Sequence, residues 1–425
     1  MIKFIKQNTL LKVLSLNGLG VMVNFVLGIF SLKVISHYLG TPGMALTGSF
    51  RNFTSLFKSL AINGFSQSFI KLLVENKDDE KERSLIVSTF LWLFLGTSIG
   101  LGLLIILFAE SLSVFVFRTE DFKIYIQLFG ILLPFVALHT FFTTLFNGLL
   151  WYKKIVVITI ISSIITFILT VSLIINYKIE GALLAISLAE LILFFVILFV
   201  AFKNRIKLDF DIQKVIAKKH FKVIRNISFM AIVSGIIIPL NLILIRNLII
   251  DSHSINEAGI WDATNRIAGF YMMFFTTGLS FYYIPKLSSI HTEFEFKKEL
   301  KNYYKTIVPL FFIVFILFFL FDSTLIKIAL TDEFQEVKSL LYWQLLGDFI
   351  KLVTLAFGYQ ILIKTMMKKY FIVELVFNLL YFLFAYLSIP ERASVGVVQA
   401  YCLANGITFL VVILMFRKTI FSKSN

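Results

Sequence analysis

The stretch WQLLGDFIKLVTLAFGYQ, residues 343–360, places Asp348 and Lys351 inside an otherwise apolar helix. An ionised group near the centre of a bilayer costs roughly 2.5–3.5 kcal/mol, so such residues face a protein interior or a watery cavity and usually have a task. Gln344, Asp348 and Lys351 lie at i, i+4 and i+7, on one helix face, with Gly358 nearly in line. Two readings are open: an intrahelical ion pair that joins helices, or ionic groups that meet a ligand.

The rest of the chain makes this span one of many. With 58% apolar residues, 15% charged residues and a mean hydropathy of +0.89, the composition is that of a polytopic membrane protein. Apolar segments of bilayer length recur along the whole sequence, and no soluble domain remains. Twelve helices are expected at about 9–38, 44–74, 84–108, 123–151, 155–176, 182–202, 223–250, 257–289, 303–328, 337–366, 369–389 and 395–416. The first follows MIKFIK without a small-residue cleavage site and is too long for a signal-peptide core, so it is expected to stay as a membrane helix. Cys402 is the single cysteine, which excludes an internal disulfide, and its apolar setting suits packing. The 49 phenylalanines read as hydrophobic filler.

Lys and Arg fall unequally in alternate connections: 24 in one set, against Arg118, Lys178 and Arg392 in the other. The positive-inside rule then places both termini in the cytoplasm and accounts for most of the +15 net charge. A nucleic-acid role would gather those charges on a folded domain with aromatic platforms, which the sequence lacks. The basic residues within or at the ends of helices are the informative remainder.

Arg51 and Lys58, seven apart, share a face of the second helix. They point either to a cavity or, by reaching, to an interface; Lys12 and Lys71 suit snorkelling from helix ends. Residues 203–222, KNRIKLDFDIQKVIAKKHFK, form the longest polar stretch and divide the chain into lobes at 1–208 and 209–425. Their D-x-D, Asp209 to Asp211, resembles a metal-bound sugar-nucleotide site but lacks a globular domain around it. Beyond the connector a weak repeat emerges: Arg246 answers Lys33, Gly259 answers Gly43, Arg266 answers Arg51, and Lys286 answers Lys71. Internal repeats with a substrate path between halves are common in transporters. Asp262 and Arg266 are an i,i+4 pair that can satisfy each other, or join Trp261 and Asn265 in a polar, aromatic stripe for sugar or phosphate. Glu190 and Glu374 are isolated carboxylates able to carry a coupling proton if burial favours their neutral form. His139 reads as a packed, hydrogen-bonded side chain, and Pro239, Pro285 and Pro309 as places where helices bend.

There is no GxxxxGK[ST] loop, HExxH, G-x-S-x-G or metal-spaced Cys/His cluster, so no cofactor is implied and uphill work needs an ion gradient or a partner. The connections expected to face outward are short, the longest about 109–122, which argues against a membrane-embedded glycan polymerase or ligase.

The runs LGTPGMALTGSFRNFTSLFKSLAINGFSQSFIKLL (39–73), AGIWDATNRIAGFYMMFFTTGLSFYYIPKLSSI (258–290) and WQLLGDFIKLVTLAFGYQILIKTMMKKYFIVELV (343–376) resemble the Wzx-type O-antigen and enterobacterial common antigen flippases. These belong to the multidrug/oligosaccharidyl-lipid/polysaccharide exporter superfamily. The resemblance implies an all-α fold of about twelve transmembrane helices in two pseudo-symmetric six-helix lobes around a central cavity, not an enzyme. It implies translocation of undecaprenyl-pyrophosphate-linked oligosaccharide to the periplasmic leaflet of the bacterial inner membrane, with a polysaccharide polymerase and chain-length regulator as partners and H+ or Na+ as coupling ion. By matching position, Arg51, Lys58, Arg246, Arg266 and Lys351 would meet the head group, with Asn265, Trp261 and Gln344 beside it. Asp262, Asp348 and Glu374 would serve as counter-charges or coupling groups. A drug or cation antiporter of the same superfamily is the alternative, and its cavity should be acidic.

Overall fold

The computed structural model describes residues 9–203, 220–290 and 292–421, and every regular element among them is helical. Twelve spans follow in chain order. Helices α1 (9–39) and α2 (41–75) meet at Gly40; α3 is Glu80–Leu107 and α4 is Lys123–Gly148, with the short helix Ala109–Phe117 between them. Helices α5 (152–177) and α6 (179–203) meet at Lys178. Then come α7 Phe221–Ser252, α8 Ile255–Ser288, α9 Glu293–Ala329 and α10 Val337–Ile363. Helices α11 (367–392) and α12 (394–415) meet at Ala393. Among the described residues eight continuous helices are long and apolar enough to cross a membrane, and three of these bend into two segments each; the less apolar α8 brings the segments to twelve. The polar stretch 204–219, with its D-x-D and the expected division after residue 208, lies outside the described residues.

Local sequence explains where helices begin. Asp79 accepts from the Glu82 backbone N–H and starts α3, Ser254 accepts from the Glu257 N–H and starts α8, and Thr292 with Glu295 forms a capping box on α9. Gly40 holds φ at +62°, which glycine tolerates best, and Pro42 opens the next helix. Within α2, Ser59–Asn63 is a π turn. Thr97 Oγ1 of α3 lies 2.7 Å from the Ala61 carbonyl oxygen and 2.6 Å from the Leu93 carbonyl oxygen of its own helix, so a neighbouring hydroxyl packs against the widened segment.

The chain forms two compact units: Met1–Val34 with Leu46–Ile243, and Ile35–Ala45 with Leu244–Asn425. In the first unit, aromatic rings fill the core: Phe69 stacks on Phe90 at 4.6 Å and on Phe141 at 5.3 Å. Lipid is no worse a solvent for these rings than the core, so close van der Waals packing holds the helices together. The second unit has its own core around Tyr283, Phe296, Phe311, Leu352 and Phe357. Its α9 displays Phe312, Phe319 and Leu320 at about 60% exposure, a surface suited to acyl chains rather than water.

In that second unit the α1–α2 corner rests on α8. A Cβ at Gly259 would lie 1.9 Å from the Thr41 carbonyl oxygen, and Thr41 Oγ1 bonds Asn256 at 3.0 Å. Gly259→Ala therefore lowers stability by about 1–3 kcal/mol, the usual cost of overpacking. The measurement is the unfolding midpoint in detergent, with Gly269→Ala as control, since nothing lies within 4 Å of a Cβ there. Equal midpoints for the two variants would show the corner to be loosely docked.

The repeat anticipated from Arg51 and Arg266 has a backbone counterpart. Lys178 and Ala393 both break their rods at positive φ, 50° and 47°. Three residues on, a Cβ at Gly181 would meet the Leu173 carbonyl oxygen at 2.0 Å, and one at Gly396 the Ser388 carbonyl oxygen at 2.7 Å. Each corner closes on the carbonyl eight residues before its glycine. Both corners, like Arg51 and Arg266, are separated by 215 positions.

Candidate functional site

Three cations and two carboxylates gather in the second unit, on spans that otherwise read as hydrocarbon. On α8, Arg266 lies one turn after Asp262, and its Nε donates to Asp262 Oδ2 at 3.0 Å, as the i,i+4 spacing anticipates. The other oxygen, Oδ1, takes a 2.5 Å bond from Nη2 of Arg246 on α7. One carboxylate thus serves two guanidinium groups. Arg246 is 1% exposed, with its guanidinium carbon 5.4 Å from the Trp261 ring centroid. That burial is tolerable because the charge is paired, hydrogen-bonded and set over an aromatic face. Trp261 is fully buried, so its ring holds Arg246, while Asn265 beside Arg266 is half-buried.

The α10 face behaves differently from a simple ion pair. Asp348, 2% exposed, accepts from Tyr271 Oη at 2.6 Å, Tyr401 Oη at 2.7 Å and Gln344 Nε2 at 3.1 Å. Three donors from α8, α12 and its own helix satisfy this carboxylate without a cation. Among the described residues no ion pair joins Asp348 to Lys351. Lys351 is exposed, and its ammonium stands 6.0 Å from the Tyr401 ring centroid. Gly347 makes the arrangement possible: a Cβ there would lie 2.6 Å from Tyr401 Cδ1, so a larger residue would hold α12 away. Below Lys351, Tyr303 Oη donates to the Leu352 carbonyl at 2.7 Å and Tyr304 Oη to the Val353 carbonyl at 3.0 Å. Those bonds fix the backbone that carries the amine.

Aromatic contacts connect the two clusters. Tyr381 of α11 packs edge-on against Tyr401 at 5.5 Å and sits beside Trp261 in the field of Arg246. The resulting path runs Arg266, Asp262, Arg246, Tyr381, Tyr401, Asp348, and ends near Lys351. Its net charge is positive, and Arg266 and Lys351 are its more accessible cations. Glu374 stands apart from it on α11, half-buried, accepting from Asn378 at 3.3 Å.

In the first unit, Arg51 is exposed on α2. Lys58 is engaged instead: its Nζ lies 2.5 Å from Glu190 Oε1 of α6, and His139 of α4 faces the other carboxylate oxygen. The two residues that were read as separate, Glu190 and His139, meet around Lys58.

The tyrosines were not singled out in the sequence. A signal existed: among 49 Phe and 15 Tyr, a tyrosine in the middle of a span implies a hydroxyl with a partner.

Comparison with known proteins gives this geometry a family. The profile described as polysaccharide biosynthesis protein matches residues 43–339. The chain belongs to the polysaccharide biosynthesis protein family. The matched region contains Arg51, Lys58, Arg246, Asp262 and Arg266, while Asp348, Lys351 and Tyr401 follow it. Curated relatives extend further. The Lipid III flippase of Escherichia coli (strain K12) is 23% identical over 392 residues, covering 89% of this chain and 91% of that protein, and the Lipid III flippase of Shigella flexneri matches to the same extent. Among solved structures, lipid II flippase MurJ in an inward closed conformation superposes with a TM-score of 0.74 at 16% identity, covering 94% of this chain and 87% of the other. An inward-facing multidrug resistance MATE transporter of the MOP superfamily gives 0.69 at 15% identity, covering 93% and 94%. The chain therefore has the all-helical, multi-pass fold of these transporters, as the sequence led us to expect.

Proposed function

We propose that the protein is a transporter, not an enzyme, and flips a lipid-linked oligosaccharide across the bilayer. Its substrate on this reading is an undecaprenyl-pyrophosphate-linked repeat unit such as that of O-antigen, moved from the cytoplasmic to the periplasmic leaflet of the inner membrane, with both chain termini cytoplasmic. The observation that carries the reading is the state of Lys351: Asp348 is satisfied by two tyrosines and Gln344, so the ammonium keeps its charge for another anion. A diphosphate crossing a bilayer needs such a charge, because its desolvation is otherwise prohibitive. Lys351 and Arg266 contact the head group from the second unit, and Asn265 meets the first sugars. Arg246, Trp261, Asp262 and Gln344 hold those cations in place. Arg51 is a further head-group cation, in the first unit. Polymerase and chain-length regulator act downstream, and an ion gradient, H+ or Na+, supplies direction. Both curated relatives named above are Lipid III flippases, which supports this substrate class.

A cation or drug antiporter on the same fold is the second reading, favoured by the MATE likeness. The excess of cations over carboxylates around α8 and α10 argues against it. Reconstitution into liposomes separates the two. With a short fluorescent undecaprenyl-diphosphate oligosaccharide, we expect protein-dependent movement between leaflets and none of a cationic dye; dye transport without glycolipid flipping would overturn the assignment.

A further inference from the structure

The cluster on α2, α4 and α6 of the first unit has a hydrogen-bond deficit that a single proton would cure. Glu190 divides its oxygens between Lys58 Nζ, at 2.5 Å from Oε1, and His139 Nδ1, at 3.4 Å from Oε2. At the far side of the imidazole, Nε2 lies 3.3 Å from Thr143 Oγ1. That hydroxyl donates its own hydrogen to the His139 backbone carbonyl at 2.9 Å, so toward the ring it is an acceptor. The imidazole is thus set between two acceptors, Thr143 Oγ1 and Glu190 Oε2. A neutral ring has one N–H and leaves one contact as lone pair against lone pair. The imidazolium has two and satisfies both.

Among the described residues, the ion pairs around the ring are those of Lys58 and Glu190. The charges of α3 lie at its first turn, Glu80 to Arg83, and those of α5 at Lys153 and Lys154. From the helices packed around α4, the charged groups facing the ring are Lys58 and Glu190. Their side chains are about 20% exposed, so water reaches a site that is otherwise screened from bulk solvent.

We propose that His139 and Glu190 form a proton-binding site whose occupancy decides whether Lys58 is held or released. With the ring neutral, Lys58 and Glu190 neutralise each other. A proton added at Nδ1 forms a second N–H bond to Glu190, places two cations on one carboxylate, and weakens the hold on Lys58. The freed ammonium then binds an anion. The backbone is built for that change: Lys58 is the last residue before the π turn Ser59–Asn63. A π turn holds one residue more than α geometry admits, so rewinding it would rotate Lys58 by about 100° relative to the helix beyond. Proton and anion then bind with positive coupling, each strengthening the other by the same factor.

This inference rests on the head-group reading above. The test is equilibrium binding of inorganic diphosphate to the full-length protein in detergent at pH 8 and pH 6. Each variant is compared with wild type at the same pH, which cancels the titration of diphosphate itself. From pH 8 to pH 6 we expect wild type to gain about tenfold more affinity than His139→Gln. Glu190→Gln should bind at pH 8 as wild type does at pH 6, and Lys58→Gln should lose the gain. Identical pH responses in wild type and His139→Gln would overturn the inference while leaving the flippase reading intact. If wild type binds no diphosphate at either pH, the head-group reading is overturned, and this inference with it.

Discussion

Lys351→Ala is expected to slow glycolipid flipping strongly while the protein still inserts in the membrane. The amine belongs to a rigid frame: Asp348 is tied to α8, α12 and its own helix's Gln344, and Tyr303 and Tyr304 bond the carbonyls of the next two residues. Removing the side chain therefore leaves the scaffold unchanged, since Lys351 is exposed and makes no ion pair with Asp348 among the described residues. The loss is a charge-assisted contact worth about 1.5–3 kcal/mol, or roughly 10- to 100-fold in flipping rate. The check is a liposome flipping assay beside an unfolding curve. An unchanged midpoint with slowed flipping supports the assignment, and Lys351→Arg should recover part of the rate. Full flipping by the alanine variant would remove Lys351 from the path of the head group.

Asp262→Ala should have the opposite profile, costing stability first. Arg246 is buried to 1% exposure and depends on Asp262 Oδ1, while Arg266 uses Oδ2. Deleting the shared carboxylate removes the counter-charge of a buried guanidinium, which typically costs 3–5 kcal/mol. The fall is to be measured as a lower unfolding midpoint and a poor yield of folded protein in detergent. Removing both partners of a buried pair is far less harmful than removing one, so Arg246→Met combined with Asp262→Ala should regain most of the lost stability. If it also regains flipping, the Arg246–Asp262 pair is a structural joint; if it folds without flipping, the pair positions the cation that meets the substrate. A single variant as stable as wild type would show that Arg246 reaches water.

The contrast between these two lysine and aspartate positions shows what could be read before the fold was known. The run of apolar helices and the i,i+4 bond from Arg266 to Asp262 are local properties, set by hydropathy and helical period, and both appear where the sequence put them. The capture of Asp262 Oδ1 by Arg246 comes from a different helix, and periodicity within α8 carries no trace of it. At Asp348 the local rule misleads. Lys351 is correctly spaced for an ion pair, yet tyrosines on α8 and α12 offer shorter, better-directed donors from the buried side. His139 was legible as a hydrogen-bonded histidine, but its partnership with Glu190 spans α4 and α6 and required the tertiary packing.

The paired corners at Lys178 and Ala393 give each half-chain a ruler for the other. Counting forward 215 positions from Lys58, His139 and Glu190 arrives at Met273, Thr354 and Asn405; counting back from Asp262, Asp348 and Lys351 arrives at Thr47, Leu133 and Val136. In all six cases an ionisable side chain is answered by one that holds no charge. The bends occur in duplicate, whereas these ionisable groups occur in single copy, so charge is shared out unequally between two halves of like backbone.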